Sequence, residues 1–111
     1  MPWEIKEIEN YSVTVGSHTM PTIKLWGDYQ QFGFVSFTDD RPRKPRKSAE
    51  GIYSVQLPLS RFDSVLSILR NERPVRLIYL ADPAQENQGI LAAISTLKEP
   101  TGEEESIIES P

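Results

Sequence analysis

The chain has 111 residues, 38% apolar and 25% charged, with a formal net charge of −4; this length suits one ordinary globular domain and is too short for two buried cores. It contains no cysteine, which excludes a disulfide framework, a thiolate metal site and a thiol nucleophile, and makes the cytoplasm the expected location. Of the 16 acidic residues five follow Lys98, as do none of the 12 basic ones, so residues 1–98 hold 12 basic against 11 acidic side chains, a net +1, ahead of an acidic tail.

The opening residues, MPWEIKEIEN, alternate charge with hydrophobe and lack the basic and apolar regions of an export signal. No apolar run approaches the roughly 20 residues that cross a bilayer, so neither export nor membrane insertion is expected. Alternation at period two puts Trp3, Ile5 and Glu7 on one side, followed by Tyr11, Val13 and Val15. This predicts one long bent strand or two short ones. Gly16, Ser17 and Met20-Pro21 mark a turn, after which Ile23 and Leu25 share one strand face while Lys24 and Trp26 share the other. Gly27-Asp28 predicts a reversal. The run QQFGFVSFT then places Phe32, Phe34 and Ser36 on one face and Gly33, Val35 and Phe37 on the opposite one, as in a strand covered on both sides or belonging to a barrel.

Residues 39–50 form a polar, basic loop, with Arg41, Arg43, Lys44, Arg46 and Lys47 spaced by Pro42 and Pro45. IYSVQLPLS is extended again until Pro58 ends it or sets it at a sheet edge. A helix is predicted over residues 60–71. Ser60 and Asp63 suit its first turn, and Phe62, Val65, Leu66 and Leu69 fall on one face. Arg70 complements its C-terminal dipole, and Pro74 restricts Arg73 and stops it. Two more strands, Val75 to Leu80 and Ile90 to Leu97, flank the turn-rich ADPAQENQG and predict a hairpin. The last segment, EPTGEEESIIESP, has too little apolar surface to offset ordering entropy. The expected organisation is therefore one domain over residues 1–98 with its basic loop at 39–50, then an acidic tail over 99–111.

Several strands, one helix and a closing hairpin predict an α+β fold built on a curved antiparallel sheet or a small β-barrel. An OB-like barrel is a candidate because it too has its helix between the third and fourth strands, although the extra strand at residues 51–57 departs from that order.

The segments LRNERPV (residues 69–75) and EPTGEEE (residues 99–105) together resemble a pattern in small uncharacterised bacterial proteins, in which a helix ends in leucine-arginine-asparagine-glutamate and a later strand ends in an acidic turn. The resemblance covers about the last third of the chain. It implies a bacterial origin and a genuine domain with Glu99 to Gly102 inside the fold, and it assigns no catalytic or binding residue.

Chemistry is sparse. His18 is the single histidine, so no second imidazole completes a metal site and no Ser-His-Asp order stands out. Asp39-Asp40 and Glu103 to Glu105 have the form of solvated charge rather than a tuned acid/base pair. No phosphate loop or metalloprotease helix occurs; the expectation is a non-enzyme without metal or cofactor. Arg41, Arg43, Lys44, Arg46 and Lys47 form a candidate phosphate-binding set, for which Phe32, Phe34 and Tyr53 offer stacking faces, the combination used on single strands. The competing reading makes the loop a solvated connection held extended by its prolines, and the near-neutral body favours it, since nucleic-acid binders usually carry a clear cationic excess. Trp26, beside Lys24, is a candidate exposed anchor or a core residue. The leading expectation is a small non-enzymatic binding module for a protein or small ligand; the alternative is a single-stranded nucleic-acid binder. Composition leaves the oligomeric state open.

Overall fold

Alternation in the first residues produces two strands in one path, β1 (Trp3–Ile8) and β2 (Asn10–Thr14), broken at Glu9. The Glu9 amide leaves the first sheet and donates to the Trp26 carbonyl at 2.8 Å. The computed structural model describes residues 3–96. Further along are β3 (Thr22–Gly27), β4 (Gln30–Thr38), β5 (Arg46–Lys47), β6 (Tyr53–Pro58), a 3-10 turn (Leu59–Arg61), α1 (Phe62–Asn71), β7 (Val75–Ala81) and β8 (Gly89–Ser95). They build a three-stranded sheet in the order β1-β7-β8 and a five-stranded sheet in the order β2-β3-β4-β6-β5. The fold is α+β, with one α-helix among the described residues. Expectations for Leu97, Glu99 to Gly102 and the acidic tail lie outside those residues.

The five-stranded sheet is mixed rather than antiparallel as expected, because β4 and β6 pair in parallel. The basic segment causes this. It is not a hairpin loop: it carries the chain across β6 to the far side, where β5 pairs antiparallel with β6. A turn then sends β6 back alongside β4. In that turn the Ser48 hydroxyl accepts from the Ile52 amide at 3.1 Å, and Gly51 has a φ of 87°, a conformation favouring glycine. The β3–β4 reversal is centred one residue later than predicted. Asp28 and Tyr29 both have positive φ (54° and 65°), the twist that suits a two-residue hairpin.

The two sheets share one core. Ile23 and Leu25 of β3, Val35 and Phe37 of β4, Val55 of β6 and Val75, Leu77 and Tyr79 of β7 converge there with Ile8 and Ile94. The helix adds the predicted face: Val65 and Leu69 are buried, and Phe62 and Leu66 pack against the same cluster. The Phe62 ring meets Phe37 edge-on at 5.1 Å. Its start differs from the prediction, because the 3-10 turn after Pro58 makes Arg61 the N-cap, without a side-chain cap bond, in place of Ser60.

The sheets join at two seams, the bend at Glu9 and a single bridge between Arg46 and Gln88. At the second, Lys47 N–H donates to the Asn87 carbonyl (3.1 Å) and Gly89 N–H to the Pro45 carbonyl (2.8 Å). Beyond that bridge no ladder runs between β5 and β8; Leu57, Val65, Ile68 and Ile94 line a groove between β6, α1 and β8. The described strands therefore form two sheets and do not close a barrel. On the outer face of the smaller sheet Ile78 and Leu80 are buried, while Trp3 and Ile5 beside them are 45% and 50% exposed.

Candidate functional site

The structure divides the candidate residues between two sides of the larger sheet. Strand β4 carries a bulge opposite Leu25 and Trp26, which adds a residue and turns Phe32 inward. Phe32 is only 7% exposed and Tyr53 1%; both are core residues, not stacking faces. Phe34 and Trp26 are half-buried on the outer face, where Lys24 pairs directly with Phe34. On the two-residue β5, alternation sends Arg46 outward and Lys47 inward. Arg41, Arg43 and Lys44 are exposed.

Register lines the outward residues up in rows. Arg46 faces Ser54, Ser54 faces Phe34, Phe34 faces Lys24 and Lys24 faces Ser12, crossing all five strands at about 4.8 Å per step. The adjoining row is Gln56, Ser36, Thr22 and Thr14. Trp26 stands beyond Lys24, paired with Asn10 and Gln31. No acidic residue occupies either row or the Trp26 position, although exposed Asp39 and Asp40 follow Thr38 where β4 leaves the sheet and exposed Glu9 and Asp28 border the Trp26 end.

The basic segment is fastened to the same face. Thr38 Oγ1 accepts from the Asp40 amide at 3.0 Å, Asp40 Oδ1 from the Arg41 amide at 2.8 Å, and Gln56 Oε1 from the Arg43 amide at 2.9 Å. Pro45 is buried. The segment is thus an anchored crossover that carries three exposed cations and two exposed acids, Asp39 and Asp40, along the edge of the face, and not the loose connection that its composition suggested.

Inside, Lys47 Nζ meets Glu4 Oε1 of β1 at 2.7 Å and lies 5.2 Å from the centre of the Tyr53 ring. The Tyr53 hydroxyl also donates to Glu4 Oε1, and the Tyr53 and Tyr79 rings pack edge-on at 5.0 Å. Lys47 and then Tyr53, as hydrogen-bond donors, hold the Glu4 carboxyl below its ordinary pKa. Burial first, and then the adjacent carboxylate, push the Tyr53 hydroxyl up; Tyr79 is raised by burial and then by Glu4 and Asp82. Clefts of about 450 and 340 Å³ flank the Glu4–Lys47 pair. The cluster ties β1 of one sheet to β5 and β6 of the other.

Sequence reasoning passed over two residues. Lys24 was legible as the outward partner of Trp26, yet a single strand lysine gave no signal of its own. Glu4 looked like one charge in an alternating run, and nothing local links it to Lys47. His18 is exposed in a turn, and no cluster of three or more metal-ligating side chains occurs among the described residues. Comparison of the chain with family models, curated proteins and solved structures finds no match.

Proposed function

We propose that the protein is a small non-enzymatic binding module, of the bacterial cytoplasm as its sequence suggests, that takes single-stranded nucleic acid on the outer face of its five-stranded sheet. One observation carries this reading: Trp26, Phe34, Lys24 and Arg46 share a face whose central rows hold no acidic side chain, with Arg41, Arg43 and Lys44 along its edge. Rings on a sheet stack on bases, about 1–3 kcal/mol each, while flanking cations meet the backbone. The near-neutral body and the exposed Asp39 and Asp40 beside Arg41 count against such a ligand; the reading rests on the cations and rings of the central rows, since a strand senses the local field of a face more than the net charge. Two strand-rich sheets packed with one helix around a single core are akin to OB-like barrels that bind single strands, and that kinship is part of the proposal.

The test is titration of a fluorescent oligothymidylate at several salt concentrations. Binding is expected with a negative log–log salt slope, and each of Lys24→Ala, Arg43→Ala and Arg46→Ala is expected to flatten it by about 0.7. Absence of binding even at low salt returns the face to the other reading, a docking surface for a protein or small ligand.

A further inference from the structure

Strand β5 is only two residues long, Arg46 and Lys47, and a strand of that length has little ladder of its own to fix it. Three groups from outside its hairpin hold it. Asn87 accepts from the Lys47 amide, the Pro45 carbonyl accepts from Gly89, and Glu4 of the opposite sheet takes the Lys47 ammonium. Glu4 is itself fixed by the Tyr53 hydroxyl, and Tyr53 lies directly across from Lys47 on β6. Because neighbouring strand residues point to opposite faces, whatever fixes Lys47 on the inside also fixes Arg46 on the outside. We infer that Glu4, on the interior side of the other sheet, is a positioning residue for Arg46: the Glu4–Lys47–Tyr53 lock holds β5 so that the Arg46 guanidinium is presented to the nucleic-acid strand.

This inference rests on the proposed use of the outer face, and it makes a counterintuitive demand. Glu4→Ala removes a negative charge, so unspecific attraction would tighten binding to a polyanion. Loss of positioning weakens it. The experiment is a double-mutant cycle read as the salt slope of oligothymidylate binding, with Glu4→Ala, Arg46→Ala and the double variant, all measured well below their melting temperatures. In the parent background Glu4→Ala is expected to weaken binding and flatten the slope by as much as Arg46→Ala, about 0.7. In the Arg46→Ala background it is expected to change nothing further. Glu4→Gln keeps an acceptor for Lys47 and Tyr53 and is expected to restore most of the loss. Amide exchange without ligand reads the lock directly, with faster exchange expected at Lys47 and Gly89 in Glu4→Ala.

Unchanged or tighter binding by Glu4→Ala, or additive losses in the double variant, overturns the positioning role while leaving the face intact, provided that Arg46→Ala alone is weakened. If Arg46→Ala binds like the parent, or the parent does not bind, the reading of the face fails first and the role of Glu4 falls with it. Should Glu4→Ala not fold, Tyr53→Phe removes one bond of the lock without altering charge. It is expected to flatten the slope in the same direction by less, and no change would overturn the inference.

Discussion

Replacing Gly33 by alanine tests the parallel pairing on which the outer face depends. Gly33 sits in β4 directly opposite Tyr53 of β6, on the inner side of the sheet. A Cβ added there would lie 3.0 Å from the Tyr53 carbonyl oxygen and 3.2 Å from its Cβ. Neither atom is the tip of a flexible side chain, so β6 must shift by a few tenths of an ångström, and Tyr53 cannot move freely because its hydroxyl is held by Glu4. Crowding of this kind costs about 1–3 kcal/mol. Against it stands the loss of glycine's unfolded-state freedom, which favours alanine by about 0.4–1 kcal/mol. The middle of those ranges leaves a net destabilisation of about 1.3 kcal/mol, and at about 4–8 °C per kcal/mol for a domain near this size, a fall in Tm of about 5–10 °C. Thermal unfolding followed by circular dichroism measures it. A Gly33→Ala protein that melts above the parent's temperature would refute the close β4–β6 approach.

Leu69 is 2% exposed in the core, so Leu69→Ala is expected to lower stability by about 2–5 kcal/mol in urea unfolding; a change below 1 kcal/mol would contradict the packing of α1. The Glu4 carboxyl has a depressed pKa in the folded state, so its contribution is present above the unfolded value of about 4.3 and is lost as pH falls through the folded value. Stability curves of the parent and Glu4→Gln are therefore expected to converge as pH drops through the acid range, whereas a constant gap would contradict the pair. Deleting residues 99–111 removes five glutamates and no cation; oligonucleotide binding is expected to tighten, and unchanged binding at low salt would show that these charges do not compete for the face.

Local periodicity carried much of the architecture. The spacing of Phe62, Val65, Leu66 and Leu69 gave the helix and its buried face because 3.6-residue periodicity directly encodes which side packs. Likewise Ile23 and Leu25 against Lys24 and Trp26 gave both sides of β3. The direction in which β6 pairs was not legible, since alternation reads the same in parallel and antiparallel strands and the choice lies in the path of residues 39–45. Phe32 was assigned to the wrong face because a bulge shifts alternation by one residue, and nothing in QQFGFVSFT marks where it falls. The five cations read as equivalent in sequence. The fold separates them: β5 turns Arg46 toward solvent and Lys47 toward Glu4, a partner 43 residues distant whose role depends on two sheets meeting.

The measurement that tests the account most directly is a heteronuclear NMR titration of the isotopically labelled protein with an oligothymidylate. Shift changes are expected to concentrate along the row Ser12, Lys24, Phe34, Ser54 and Arg46, at Trp26 and at Arg43, with the indole N–H of Trp26 moving and that of Trp3 unmoved. No shifts, or shifts gathered at Trp3, Ile5 and the other outward residues of the three-stranded sheet, would contradict it.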